Sequence, residues 1–300
     1  MRGQQLRLFG GQQATPTLAE SLEPFRRHME QKGFAENTVK SFLGDLRIFM
    51  GYIGPKTRIG EIAATDLNRF LDYLQRERGK PCTSKSFARR LTTLKVFFKW
   101  LADSGAIPAD PAAAIAHRPV STPLPVALSE QETERVLAAA QSLRATEKPD
   151  ARPYLLVRLL LDTGIKKGEC MNIRLGDLSL DATRPALHVR STDPRYARYK
   201  ERRVALSAET TAALREYLRQ YQPQETLFPC TARNLEYVLT DLGKMVGLEA
   251  LSFEMLRMTA AVNDLRKGGD TEHLRAKLGL SKVSWDETLP KLLKLLQPPL

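Results

Sequence analysis

Residues 85–101, KSFARRLTTLKVFFKWL, decide the fold class of the first half of the chain. Their apolar side chains recur at steps of four and three, which places them on one face of a helix and leaves the cations elsewhere on its surface. This pattern predicts a helix over 84–103 that packs into a bundle with its charges outward. The apolar positions are Phe87, Leu91, Leu94, Phe98 and Leu101, and the cations are Lys85, Arg89, Lys95 and Lys99.

The residues before this stretch carry the same kind of periodicity, which predicts three more helices near 17–32, 36–53 and 65–78. We therefore expect a helical domain over 17–116, preceded by a flexible extension over 1–16. A Pro-rich stretch, HRPVSTPLP, follows at 117–125. Because proline disfavours both helix and central strand, these residues are predicted to be a linker to a second domain over 126–300.

The second domain has a mixed pattern. Ser129 and Glu132 have the spacing of a capping box, which predicts a helix that ends near Leu143, and another helix is expected over 151–163. Residues 187–191 and 202–206 resemble two strands on either side of a polar loop, 192–199, and predict a β-hairpin. Helices are then expected near 207–221, 231–246, 252–266, 271–278 and 286–296. The predicted fold class is mainly α with a small antiparallel β-sheet.

The composition indicates the class of partner that the chain binds. The 300 residues include 46 Lys and Arg against 34 Asp and Glu, which gives a net charge of +12 and a pI near 9.7. Residues 1–120 carry a net +8 and residues 121–300 a net +4. An excess of cations favours a polyanionic partner, since each cation placed on a phosphate releases a condensed counterion. Composition alone leaves open a merely soluble basic protein.

The cysteines suggest neither a redox nor a metal site. Cys82, Cys170 and Cys230 are an odd set without CxxC spacing, which disfavours a disulfide framework and a zinc site. We expect no cofactor. The sequence has no run of about eighteen apolar residues and no apolar core of a secretory signal near its start, so a cytoplasmic protein without a membrane partner is expected.

Several strings, taken in their order and spacing, resemble the tyrosine recombinase and phage integrase family over residues 18–296. The resemblance implies a two-domain clamp on duplex DNA, with a helical core-binding domain of the SAM-like type and a catalytic-fold domain. The strings are GFAENTVKSFLGDLRIF (33–49), the opening stretch (85–101), DPAAAI (110–115), LPVALSEQE (124–132), LLLDTGIKKGECMNIRLGDL (159–178), KERRVAL (200–206), LSFEMLRMTAA (251–261) and AKLGLSKVS (276–284).

The resemblance also implies a chemistry with fixed requirements. In this family a tyrosine oxygen attacks a DNA phosphodiester, and negative charge builds up on the non-bridging oxygens of the phosphorane. Two arginines hold those oxygens, a lysine of the hairpin protonates the departing 5′ oxygen, and two histidine-type groups manage protons.

Matched motif by motif, most of these positions differ in this chain. The first arginine falls on Lys166, which keeps the charge and loses the planar fork, and the acidic residue of that motif falls on Glu169. The hairpin lysine falls on Ala197, with Lys200 three residues later as the alternative.

The closing motifs show the same trend. Glu254 stands for the first histidine, and Arg257 keeps the second arginine. Glu254 is expected to be repulsive toward a phosphate unless it pairs with Arg257 or Lys166, and Arg257 could instead be a structural residue satisfied by a carboxylate. The second histidine position is Leu280, which neither donates a hydrogen bond nor shuttles a proton.

The position of the nucleophile is Leu289, and the last tyrosine of the chain is Tyr237. The segment instead carries a helical stripe of leucines: Leu289, Leu292, Leu293 and Leu296. This stripe could be buried within its own domain, or it could contact another protomer.

The sequence therefore predicts a sequence-specific duplex DNA-binding protein that does not cleave, acting as a regulator or accessory factor of a mobile element. Two alternatives stay open. One is an active recombinase with a displaced nucleophile at Tyr196, Tyr199 or Thr288, and the other is an interaction subunit of an active recombinase, reached through the C-terminal helix. The predicted DNA contacts are Thr38, Lys40, Lys85, Arg89, Arg90, Lys166, Lys200, Arg202, Arg203 and Arg257.

Overall fold

The computed structural model describes residues 15–79, 82–116, 124–180 and 183–296. These residues divide into two compact units whose boundary lies between Pro123 and Leu124. The predicted extension over 1–16 and the predicted linker over 117–125 fall mostly outside the described residues, so the predicted domain bounds stay predictions.

The N-terminal unit contains four helices whose ends agree with the predicted ones to within two residues. Thr17 and Thr83 stand just before the first and the fourth helix, and each side-chain oxygen accepts a hydrogen bond from the backbone N–H three residues later. The helices are α1 (Leu18–Gln31), α2 (Glu36–Ile53), α3 (Ala64–Arg76) and α4 (Ser84–Asp103).

The core of this unit is largely aromatic. All five predicted apolar positions of α4 are buried, and Phe97 and Trp100 are buried beside them, so the buried face is wider than the predicted stripe. Phe97 meets Phe25 of α1 edge-on at 5.1 Å between ring centroids, and Phe49 of α2 meets Phe70 of α3 at 4.9 Å. Phe49 also meets Phe98 of α4 at 6.2 Å, so the ring contacts join all four helices.

The C-terminal unit confirms the predicted fold class, since helices surround one small antiparallel sheet. The predicted capping box is present, with Ser129 accepting from Glu132 N and Glu132 accepting from Ser129 N. The elements are α5 (Glu130–Ser142), α6 (Arg152–Thr163), α7 (Lys167–Met171), β1 (Leu178–Ser179), β2 (Ala186–Val189), α8 (Ala197–Lys200), β3 (Arg202–Ala205), α9 (Ala208–Tyr221), α10 (Ala232–Met245), α11 (Phe253–Arg266), α12 (Thr271–Lys277) and α13 (Lys282–Leu296).

The sheet has the order β1-β2-β3, and β2 and β3 form the predicted hairpin, with Leu187 opposite Val204. Two details differ from the sequence prediction. Strand β1 was not predicted, because two residues are too few to show a period of two. The predicted polar loop over 192–199 contains a turn of 3₁₀ helix, Pro194–Tyr196, that leads directly into α8.

Helix α6 is the centre of this unit and packs against α5, α9 and α11. It ends at Thr163, and the next residue, Gly164, has a φ of 58°, in the left-handed region that glycine adopts without a steric penalty. A Cβ on Gly164 would stand 2.9 Å from the Leu278 side chain. Glycine is therefore required here both by the backbone conformation and by the close approach of the segment after α12.

A separate apolar cluster, which we call the terminal cluster, joins α11, α12 and α13. Its buried members are Met258, Ala261, Val262, Leu274, Leu278, Trp285 and Leu292. Helix α13 begins at Lys282, four residues before the predicted start at 286. The Ser281 side chain explains the earlier start, because its Oγ accepts from Ser284 N at 3.2 Å.

Across the ranges that the structure describes, we find no helix both long enough and apolar enough to cross a membrane.

Candidate nucleic-acid interface

A buried ion pair lies at the centre of the positions matched to the family motifs. Arg202 Nη1 and Nη2 lie 3.0 and 2.9 Å from the two carboxylate oxygens of Glu169, and the side chains are 7% and 13% exposed. Glu169 also accepts from the backbone N–H of Lys166 at 2.8 Å, which caps α7. Burial opposes ionisation of Glu169, but the hydrogen bonds and charge of Arg202 outweigh it, and its pKa is lowered.

The remaining donors of Arg202 hold other elements together. Nε donates to the Lys277 carbonyl at 2.6 Å and Nη1 to the Lys200 carbonyl at 2.7 Å. A Cβ on Gly279 would stand 2.5 Å from Nη1, so the glycine makes room for the guanidinium. Arg202 was predicted to contact DNA. That prediction needs revision, because its donors are used within the fold and join α7, the hairpin and the end of α12.

Arg257 is also a structural residue in this arrangement. It is 3% exposed, and it donates to the Gly164 carbonyl and, at 2.8 Å, to the Leu278 carbonyl. Burial lowers the pKa of its guanidinium to about 10, against the opposing charges of Glu169 and Glu254. The predicted alternative of a structural Arg257 describes it better than phosphate contact does, although its partners are carbonyls rather than a carboxylate.

Lys166 lies half-buried beside these arginines, at the residue before α7. Its pKa is lowered, first by burial and then by the charge of Arg257, while Glu169 acts in the opposite direction. The side chain lines a cavity of about 420 Å³. The other lining residues are Lys167, Glu236, Leu239, Thr240, Leu251, Ser252, Phe253, Glu254 and Arg257.

Glu254 is exposed at the rim of this cavity, in the first turn of α11. Among the described residues, no cation lies within ion-pair distance of its carboxylate, so Glu254 makes no direct ion pair with Arg257 or Lys166, although its charge still acts on Arg257. The geometric reason is that Arg257 turns away toward the carbonyls of Gly164 and Leu278. Nearby, Lys167 pairs instead with Glu236 at 2.6 Å.

The last two matched positions belong to the terminal cluster. Leu280 and Leu289 are partly buried and pack against it, together with Leu296. Leu292 is fully buried, whereas Leu293 is 45% exposed. Three members of the predicted leucine stripe therefore pack within their own unit, and the fourth faces outward.

The residues between β2 and β3 bring tyrosines and cations together. Tyr196 and Tyr199 lie with their ring centroids 6.0 Å apart, and Lys200 Nζ lies 4.3 Å from the centre of the Tyr196 ring. Arg203, on β3, is exposed. The sequence predicts the cations of this segment but not the aromatic pairing, because the helical turn that brings the rings together is too short to show a period.

The predicted contacts of the N-terminal unit fall into two groups. Lys40 and Lys85 are exposed and Thr38 is half-buried. Arg90 is only 9% exposed, with Nε 3.4 Å from Asp45 Oδ1, while Arg89, 40% exposed, reaches the same oxygen at 3.0 Å. The prediction of Arg90 as a DNA contact is therefore corrected to a buried partner of Asp45.

Asp45 is a buried carboxylate that sequence reasoning missed. It is 4% exposed and accepts a hydrogen bond from the Thr93 hydroxyl at 3.1 Å. Burial raises the pKa of its carboxyl, and the charges of Arg89 and Arg90 and the Thr93 hydrogen bond act against that rise. A signal was present on α4, because position 90 lies three residues after Phe87 and four before Leu94 and so shares their buried face.

Comparison with known proteins agrees with the observed architecture. The Phage integrase family profile matches residues 127–285, and the profile of the phage integrase N-terminal SAM-like domain matches residues 22–105. Related proteins include the tyrosine recombinase XerC of Roseiflexus sp. (strain RS-1), 26% identical over 283 residues, with 88% of this chain and 87% of that protein covered. The tyrosine recombinase XerA of Saccharolobus solfataricus is 27% identical over 263 residues, with 82% and 79% covered.

Solved structures show the same fold. The chain is similar to a lambda integrase dimer bound to a COC′ core site, with a TM-score of 0.71, 17% identity, and 92% and 77% of the two chains covered. It is also similar to the XerH recombinase bound to a palindromic difH substrate, with a TM-score of 0.70, 18% identity, and 93% and 82% covered. Since the first family profile alone spans more than half of the sequence, the chain belongs to the phage integrase family.

Proposed function

We propose that this chain binds specific sites on duplex DNA through its recombinase fold and does not cut the strand, acting as a regulator or accessory factor of a mobile element. The observation that carries the proposal is Leu289. It stands at the position matched to the nucleophile, and its side chain packs against the terminal cluster. A hydrocarbon side chain offers no oxygen to attack a phosphorus atom.

The neighbouring positions support the absence of strand cleavage. Leu280 can neither donate nor accept a proton, and Glu254 places at the rim of the Lys166 cavity a carboxylate that makes no direct ion pair with any described residue. Arg257 donates its hydrogen bonds to two backbone carbonyls. Several independent roles of the reaction would each have to be restored, so a single shifted residue would not compensate for Leu289.

The surface charge supports DNA binding. After Arg90, Arg202 and Arg257 are removed as structural residues, the exposed predicted contacts are Lys40 and Lys85 in the N-terminal unit and Arg203 in the C-terminal unit. Arg89, Lys166, Lys200 and Thr38 are partly exposed. Cations at such positions bind phosphates without any need for a nucleophile. The lambda integrase and XerH structures named above are DNA complexes of those proteins, and we extend DNA binding from them to this chain as part of the proposal.

A second candidate, an interaction subunit of an active recombinase, is favoured by the outer face of α13. Val283 is 73% exposed and Leu293 is 45% exposed there, while the inner face packs on the terminal cluster. This role and DNA binding differ in one measurable property, the salt dependence of affinity for duplex DNA.

The test is a fluorescence anisotropy titration of the full chain on labelled genomic-fragment duplexes at several salt concentrations. DNA binding predicts a logarithm of affinity that falls linearly with the logarithm of salt, with a slope of about −0.9 per phosphate contact. Negligible binding at low salt, or binding that does not weaken as salt rises, would contradict DNA binding and leave the role of an interaction subunit.

A further inference from the structure

We propose that the tip of the β2–β3 hairpin, residues 194–200, stacks on an unpaired DNA base, so that the protein prefers duplex DNA with a locally opened region over a perfect duplex. This inference rests on the DNA binding proposed above and adds the form of DNA that is bound. We call this segment the aromatic tip.

Two tyrosines give the aromatic tip its stacking surface. Tyr196 is 40% exposed, and the Tyr199 ring lies 6.0 Å from it at an angle of 57°. Part of the Tyr196 side chain is therefore open to a ligand at the end of the hairpin. A nucleic-acid base offers a flat π-face that such a ring can cover, whatever the base sequence.

Cations surround these rings. Lys200 Nζ lies 4.3 Å and Arg195 Cζ 5.6 Å from the centre of the Tyr196 ring. Residues 193–203 carry five Lys and Arg against two carboxylates, and Arg198 and Arg203 are exposed among them. Aromatic rings interleaved with cations are the arrangement that binds single-stranded nucleic acid, since the rings stack on bases while the cations follow the backbone.

The aromatic tip is held in shape at both ends, so its rings are positioned before binding. At its start, Asp193 accepts from the backbone N–H of Arg195 at 3.0 Å and pairs with the Arg195 side chain at 2.7 Å. At its end, the Lys200 carbonyl accepts from Arg202, whose guanidinium is fixed by buried Glu169. Because the backbone is already ordered, stacking costs little conformational entropy.

An intact duplex offers no exposed base face on which these tyrosine rings could stack. Its bases are stacked on one another, and it presents mainly phosphates and groove edges to a protein. The cations alone would suffice for those contacts. The tyrosines find a partner only where a base has left the stack, which makes a locally opened duplex the ligand that this surface fits.

The experiment compares two labelled DNAs of identical sequence on one strand, one a perfect duplex and the other carrying a short central bubble. We expect the unmodified chain to bind the bubble more tightly. Combined Tyr196→Ala and Tyr199→Ala should reduce that preference by about fivefold or more, since stacking of one base on an aromatic ring is worth at least that factor. Duplex affinity should remain nearly unchanged.

Two control variants separate stacking from other roles. Combined Tyr196→Phe and Tyr199→Phe keeps the rings and removes both hydroxyls, so it should retain the preference. Tyr237→Ala removes another exposed tyrosine, 53% exposed and 5.5 Å from Arg233, that lies on α10. Among the described residues, Tyr237 has no second ring within stacking distance, so its removal should change nothing.

A second readout uses the unmodified chain. A 2-aminopurine placed in the bubble should lose fluorescence when the chain binds, because stacking on a tyrosine quenches it. The inference is overturned if bubble and duplex bind equally, if the double alanine variant keeps the preference, or if 2-aminopurine fluorescence does not change. Absence of binding to both DNAs would overturn the proposed function as well, which distinguishes the two failures.

Discussion

The guanidinium of Arg202 contacts both carboxylate oxygens of Glu169, at 3.0 and 2.9 Å, inside the C-terminal unit. The two residues are 33 apart in the chain, and the pair joins the start of α7 to strand β3. Through the Lys200 and Lys277 carbonyls, the same guanidinium also fixes the aromatic tip and the end of α12. One buried ion pair thus orients three of the segments that the family motifs occupy.

Glu169→Gln should destabilise the fold strongly. The substitution leaves the Arg202 charge buried without a counter-charge, a loss that costs about 3 to 5 kcal/mol in the free energy of unfolding. Glu236→Gln is the matched control. It breaks the ion pair with Lys167, in which both side chains are 47% exposed, and should cost less than about 1 kcal/mol. Urea unfolding followed by circular dichroism measures both values, and equal losses would contradict the structural role of the pair.

The Glu169–Arg202 ion pair makes the free energy of unfolding depend on pH. Because the pKa of Glu169 in the folded chain is lowered from the ordinary value of 4.5, its contribution is complete above that value and is lost as pH falls through the lower folded value. We therefore expect the difference in unfolding free energy between the unmodified chain and Glu169→Gln to be constant near neutral pH and to shrink at acidic pH below 4.5. Parallel unfolding series at several pH values would show this, and a difference that grows on acidification would refute it.

Two neighbouring cations of α4 should respond differently to alanine. Lys85 is exposed, so Lys85→Ala should leave stability unchanged and reduce the magnitude of the salt slope of DNA binding by about 1. Arg90→Ala instead removes one of the two cations that face buried Asp45, while Arg89 remains 3.0 Å away, and should destabilise the N-terminal unit by about 1 to 3 kcal/mol. Thermal melting and anisotropy titrations on both variants give the comparison. If Arg90→Ala were as stable as the unmodified chain, the buried role of Arg90 would be excluded.

The contrast between Lys85 and Arg90 shows what the sequence could predict. Helix positions, the hairpin and the buried stripe of α4 follow from local periodicity, and all were found in the structure. The burial of Arg90 could have been predicted from the sequence, because helical geometry alone places it beside Phe87 and Leu94. The Glu169–Arg202 pair was not, because a bidentate contact between residues 33 apart depends on how α7, β3 and α12 pack. The aromatic tip was missed for a similar reason, since its helical turn is too short to show a period.

Under the proposed function, a tyrosine placed at position 289 alone should not give strand cleavage. Leu289→Tyr supplies a hydroxyl, but Lys166 keeps a point charge in place of a planar fork, Glu254 stays a carboxylate and Leu280 still lacks a proton donor. We expect no covalent adduct with this variant on a nicked suicide substrate. An adduct from Leu289→Tyr alone would mean that the remaining positions are sufficient for catalysis.

The most direct test of binding without cleavage uses the unmodified chain and a nicked suicide substrate, followed by parallel native and denaturing gels. In the native gel we expect a shifted complex that disappears as salt is raised, since the proposed contacts are to phosphates. In the denaturing gel we expect all of the DNA to run free of protein. A band of protein-linked DNA that survives denaturation, and that is lost in Tyr196→Phe or Tyr199→Phe, would contradict the proposal and identify a displaced nucleophile on the hairpin.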